Sequence, residues 1–76
     1  MKEKDLIALG FERVDANNDW YGYTYDLTQH LRLISNDNKD AERKGWYVKL
    51  IDVDGIRFTS YTQLADLIDL IEKAKI

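Results

Sequence analysis

Leu6, Ile7 and Leu9 cluster near the front of the chain, and Gly10 follows where a helix end favours a left-handed residue. That spacing predicts a short opening helix. Phe11 to Val14 then reads as a brief first strand, and Ala16-Asn17-Asn18-Asp19 as a turn whose polar side chains bond back to their own backbone. Trp20 to Leu27 is rich in aromatics and predicts a second strand with two parities. One carries Tyr21, Tyr23, Tyr25 and Leu27; the other carries Trp20, Gly22, Thr24 and Asp26. Leu27 favours the tyrosine side as the inward one, each hydroxyl then needing a partner at the rim. His30 to Ser35 predicts a third strand, with Leu31 and Leu33 inward and His30, Arg32 and Ile34 on the other face.

Asn36 to Gly45 is charged and free of large apolar residues, and reads as the longest connecting loop. Trp46 to Asp52 alternates Trp46, Val48 and Leu50 against Tyr47, Lys49 and Ile51, the clearest period-two strand in the chain. The hydrophobic pattern also sets the length of the turn at Val53-Asp54-Gly55. A two-residue loop would place Ile56 and Phe58 beside Lys49. A three-residue loop ending in a left-handed Gly55 places them with Val48 and Leu50, and is preferred. Ser60-Tyr61-Thr62-Gln63 matches a capping box. The helix behind it stacks Leu64, Leu67, Ile68, Ile71 and Ala74 on one stripe, leaving Asp66, Asp69, Glu72, Lys73 and Lys75 mostly solvated.

The expected architecture is a single α+β domain over residues 1–76: an N-terminal helix, a four- to five-stranded antiparallel meander and a C-terminal helix. Both helices must bury their stripes on one sheet face, which leaves the other open. Seventy-six residues hold one core of modest stability. The absence of cysteine excludes disulfides, thiolate metal sites and thiol nucleophiles, and fits a reducing cytoplasm. No apolar run approaches the roughly 20 residues of a membrane span. The opening Met1-Lys2-Glu3-Lys4-Asp5 does not read as a secretory signal. A net charge of −3 disfavours a general grip on phosphate backbones.

Asp15, Asn17, Asp19 and Asp26 occupy positions one, three, five and twelve of a calcium-loop pattern. Trp20 stands where that loop needs glycine, however, and Asp26 where it needs glutamate, so a polar hairpin turn is the better reading. The oxygen-rich Asn36 to Glu42 segment lacks the same two residues. His30, the single imidazole, has Asp26 and Ser35 nearby in sequence, but alternation points His30 and Ser35 to opposite faces. No catalytic, metal-binding or cofactor-binding residue is assigned, and no enzymatic activity is expected. The tyrosines could stack bases as in RNA-recognition sheets, but acidic neighbours and the missing basic motif weigh against it.

The open face is the candidate interaction surface. Its expected contact residues are Tyr47, Ile51, Arg57, Arg32 and Lys49, because tyrosine, arginine and isolated aliphatics are favoured at the centres of protein interfaces.

Three features extend this reading: the opening Leu6-Ile7-Ala8-Leu9-Gly10-Phe11, the Gly45-Trp46-Tyr47-Val48 strand, and Phe58-Thr59-Ser60-Tyr61 with Leu64 and Leu67 behind it. In these the chain resembles small uncharacterised proteins of bacteriophages and mobile elements. The resemblance implies a compact, acidic, cofactor-free protein that binds and blocks host machinery, as anti-CRISPR and other anti-defence inhibitors do. The expectation is therefore a non-enzymatic protein-binding domain, cytoplasmic, monomeric or a weak homodimer, with an unidentified protein partner. The alternative is a small nucleic-acid-associated regulatory protein.

Overall fold

The first helix, α1 (Glu3–Ala8), is closed at its front by Asp5, whose carboxylate accepts the Lys2 N–H at 2.8 Å. Gly10 ends it with φ 97°. The Phe11 N–H then reaches the Leu6 carbonyl and the Gly10 N–H the Ile7 carbonyl, which satisfies two of the carbonyls of the last turn. The computed structural model in which these contacts are seen describes residues 1–17, 19–53 and 55–74. Asn18, Asp54, Lys75 and Ile76 lie outside the described residues, and with them parts of the two expected turns and the end of the C-terminal stripe.

Beyond α1 the chain forms β1 (Glu12–Asp15), β2 (Tyr21–Asp26), β3 (Arg32–Ser35), α2 (Asn38–Lys44), β4 (Val48–Leu50) and α3 (Tyr61–Ala74). The four strands make one antiparallel sheet in chain order, with Glu12 opposite Thr24, Thr24 opposite Ile34, and Ile34 opposite Lys49. The α+β expectation holds, with four strands rather than five. Phe58 adds a single bridge to Val48, exchanging both backbone hydrogen bonds, and does not extend into a strand.

Leu6 from α1, Tyr23, Leu27, Leu33 and Val48 from the sheet, and Leu64 and Ile68 from α3 form one buried cluster with Phe11. Both outer helices therefore sit on the face that carries the tyrosines, and the open parity of β2 resolves to tyrosine-in. The rim hydroxyls find partners as that assignment requires. Tyr21 and Tyr23 donate to the two oxygens of Glu3, and Tyr25 to Glu72. On α3 the Ser60 hydroxyl accepts the Gln63 N–H, and Leu67 and Ile71 pack against the core beside Leu64 and Ile68. Ala74 is exposed, as is Leu70.

Several local expectations are corrected. The segment read as a loop from Asn36 to Gly45 contains α2. Asp37 caps it by accepting the Asp40 N–H, Arg43 and Lys44 sit in its last turn, and Gly45 leaves it with φ 79°. A seven-residue helix with charged residues nearly all round shows no apolar period, which is why composition alone mistook it. Leu31 is exposed rather than inward, because residues 27–31 form a turn in which the Thr28 hydroxyl accepts the His30 and Leu31 N–H groups. The same turn takes His30 off the strand. Finally, the strand expected from Trp46 to Asp52 is confined to β4. The chain turns at residues 51–52, with Asp52 at φ 65° and the Val53 N–H on the Leu50 carbonyl. Phe58 packs on the core on the same face as Val48, as expected, and Gly55 is left-handed at φ 86°. The register differs: a three-residue loop at 53–55 would set Phe58 opposite Leu50, whereas its one bridge is to Val48, because the chain already leaves the strand after Leu50. Ile56 does not join them and is exposed.

Candidate functional site on the open sheet face

With both outer helices on one side, the opposite side of the sheet carries the even-numbered residues of β2. Gly22 has no side chain there, so a trough forms over it, walled by Val14, Trp20, Thr24 and Ile34. Val14 and Trp20 are each almost half exposed. The trough continues past Ile34 toward Tyr47 and Lys49, where α2 contributes Lys39 and Arg43 as a rim.

The backbone under this trough is held unusually. The ladder between β2 and β3 stops at Thr24 and Ile34, yet the Tyr23 and Tyr21 N–H groups still need acceptors. The buried Ser35 hydroxyl takes the first at 2.8 Å and the Asn38 side chain takes the second at 2.8 Å. Two side chains thus stand in for a departing strand where the chain turns up into α2. Asn36, also buried, ties the two ends of that helix. Its amide donates to Asp40 and to the Gly45 carbonyl, and its oxygen accepts the Tyr47 N–H. The bond from Asn36, with help from Lys44, Tyr47 and Arg43, holds the Asp40 carboxyl below its ordinary range.

The five expected contact residues fall into two groups. Tyr47, Lys49 and Arg57 come together: the Arg57 guanidinium lies over the half-buried Tyr47 ring, 4.6 Å from its centre, and Lys49 stands one alternation further along β4. Arg32 and Ile51 are at the other end. Arg32 donates to Asp26 at 2.7 Å, and its carbonyl accepts the Ile51 N–H. That pair borders the 27–31 turn rather than the trough. Sequence reasoning omitted Val14, Trp20, Lys39 and Arg43. Trp20 and Val14 follow from the tyrosine-in parity once the β1–β2 register is known. The two cations follow only from α2, whose signals were Asp37 at its start and Gly45 at its end.

Groups considered for chemistry are drawn apart or occupied. Asp15 pairs with Tyr21, and Asp26 lies five residues further along β2, about 17 Å away at 3.4 Å per residue. The Ser35 hydroxyl both accepts from Tyr23 and donates to the Asn36 carbonyl. Asn36, Asp37 and Asn38 spend their side-chain oxygens on the backbone of the fold. Among the described residues no group of three or more His, Cys, Asp or Glu side chains is placed to hold a metal ion. Among them, too, no helix is long and apolar enough to cross a membrane.

Comparison with protein-family models, with curated proteins and with solved structures finds no significant match to this chain.

Proposed function

We propose that this protein is a non-enzymatic binding domain that engages a protein partner through the open sheet face. The observation that carries the reading is the Arg57–Tyr47 stack on the same open face as the exposed Trp20. Tryptophan, tyrosine and arginine are the residues over-represented among interface hot spots, and a wide aromatic trough with a polar rim suits them. The setting implied by the phage-protein resemblance, a cytoplasmic inhibitor of a host defence protein, is proposed with it. The test is recovery of a partner from host lysate by the wild-type chain, by Tyr47→Ala and Arg57→Ala, and by Asp69→Ala and Lys73→Ala on α3. Loss in the sheet pair with retention in the helix pair supports the reading, and the reverse pattern overturns it.

One observation favours a second reading, a small nucleic-acid-associated regulator. Lys39, Lys49 and Arg57 have no ion-pair partner among the described residues, and they flank Trp20 and Tyr47. Cations beside aromatics form the stacking grooves that hold single strands.

A further inference from the structure

The sheet has two edges, and they differ. At β4 the edge is closed at Val48, whose N–H and carbonyl are both taken by Phe58. At β1 all four residues are exposed. The Ala16 N–H donates to the Trp20 carbonyl, so by alternation the backbone groups of Val14 and Glu12 also point inward to β2. Those of Arg13 and Asp15 point outward, to the free edge.

We propose that β1 pairs antiparallel with β1 of a second copy of this chain, Arg13 of each facing Asp15 of the other and Val14 meeting Val14 on the two-fold axis. This goes beyond the open-face reading and does not depend on it. Hydrogen bonding demands that outward-pointing residues face outward-pointing residues, which leaves three symmetric registers for these two positions. Arg13 against Arg13 and Asp15 against Asp15 each put like charges directly opposite, which is destabilising. Only Arg13 against Asp15 matches opposite charges, and it does so twice.

The charges are already arranged for it. Arg13 and Asp15 lie on the same side of β1, bridged at 3.0 Å, with the guanidinium 3.8 Å over the Tyr21 ring. Pairing two such strands gives a square of alternating charge in which each arginine has an aspartate along its own strand and another across. Four backbone hydrogen bonds form, two from each Arg13–Asp15 pair. Val14 sits in the closely spaced, non-hydrogen-bonded position between them, where two half-exposed valines cover each other. The two-fold axis runs through the sheet, so both helix layers stay on one side. The two open faces, each with its Trp20, then join into one surface across eight strands. The contact is smaller than a standard stable interface, so the dimer is weak and concentration-dependent.

Sedimentation equilibrium of the intact chain, from micromolar to about millimolar concentration, the range that weak association spans, tests the pairing. The wild type should pass from monomer to dimer. Arg13→Asp and Asp15→Arg should each weaken self-association by roughly tenfold, two matched charge pairs having become two opposed ones. Mixing the two variants should restore a dimer, because the acidic edge of one then faces the basic edge of the other. The mixture separates the contact between copies from the bridge within one strand, which stays broken in both chains. Val14→Cys, in a chain with no other cysteine, should form a disulfide-linked dimer on mild oxidation, while Ile51→Cys should not. Circular dichroism confirms that each variant is folded. A monomer at every concentration overturns the proposal and leaves the edge to a strand of a different protein. So does a dimer that both charge variants leave unchanged.

Discussion

The Tyr23 hydroxyl donates to the Glu3 carboxylate at 2.5 Å across twenty residues of sequence, and Tyr21 uses the other oxygen of the same carboxylate at 3.3 Å. One acidic side chain from α1 thus terminates two tyrosines of β2. The two rings meet edge to face, 6.1 Å apart between centres, and Trp46 packs on both. This resolves a conflict built into the tyrosine-in parity. Three phenols on the helix side bury much aromatic surface, but each brings a hydroxyl that must keep a partner.

The arrangement makes the fold sensitive to alkali. Burial, reinforced by the bond to Glu3, pushes the Tyr23 hydroxyl up to about 12, and Tyr21 moves the same way for the same reasons. A group whose folded value is raised contributes its stability in full below its unfolded value, near 10, and loses it as pH climbs through the folded one. Stability should fall between about pH 10 and 12. Tyrosinate absorbance should show Tyr21 and Tyr23 ionising late and together with unfolding. Tyr23→Phe should move the onset of alkaline unfolding upward; an unchanged onset would place the sensitive group elsewhere.

Ser35→Ala should cost about 1–3 kcal/mol, the penalty for leaving a buried donor without an acceptor. The donor is the Tyr23 N–H, which has the Ser35 hydroxyl in place of a ladder carbonyl. Chemical denaturation measures the loss. Amide exchange should localise it, with the Tyr23 N–H losing protection ahead of its neighbours in β2.

Leu64 is fully buried at the start of α3, while Leu70 is two-thirds exposed on the same helix. Leu64→Ala should therefore destabilise the domain by about 2–5 kcal/mol. Leu70→Ala should stay within roughly 0.5 kcal/mol, as surface substitutions do. Equal losses in denaturant melts would mean that α3 buries a different stripe.

Periodicity was legible wherever one face of an element is dry. The stripe of α3, the odd-numbered side of β2 and the common face of Val48 and Phe58 all follow from it, and Gly10 and Gly55 punctuate as their left-handed angles require. It failed where polar contacts do the folding. Helix α2 buries none of its own residues and is held by Asp37, Asn36 and Asn38, whose bonds reach the turn between β1 and β2, the helix ends and Tyr47 just before β4. A side chain that bonds to distant backbone leaves no mark on the hydrophobic pattern. The candidate face was legible in its Tyr47–Lys49–Arg57 part, because one register argument places all three. Its rim of Lys39 and Arg43 was not, because those two depend on α2.

The two functional readings part company over the cations Lys39, Lys49 and Arg57. If the partner is a protein, affinity concentrates in a few desolvated anchors. Tyr47→Ala and Trp20→Ala should then each cost about 2 kcal/mol or more, while Lys39→Ala and Lys49→Ala change little. If the partner is a nucleic acid, each cation that neutralises a phosphate counts, and log affinity falls linearly with log salt at a slope close to the number of phosphates held. Lys39→Ala, Lys49→Ala and Arg57→Ala should then each flatten that slope by about one. Titrating a fluorescent single-stranded oligonucleotide and the captured protein partner across a salt series, with the same five variants, distinguishes the two. Oligonucleotide binding with a steep slope that the lysine variants flatten would displace the protein-binding reading. Binding of the protein partner that ignores both lysines but collapses with Tyr47→Ala and Trp20→Ala would place the energy in the aromatic trough over Gly22, with Arg57 acting through its stack on Tyr47.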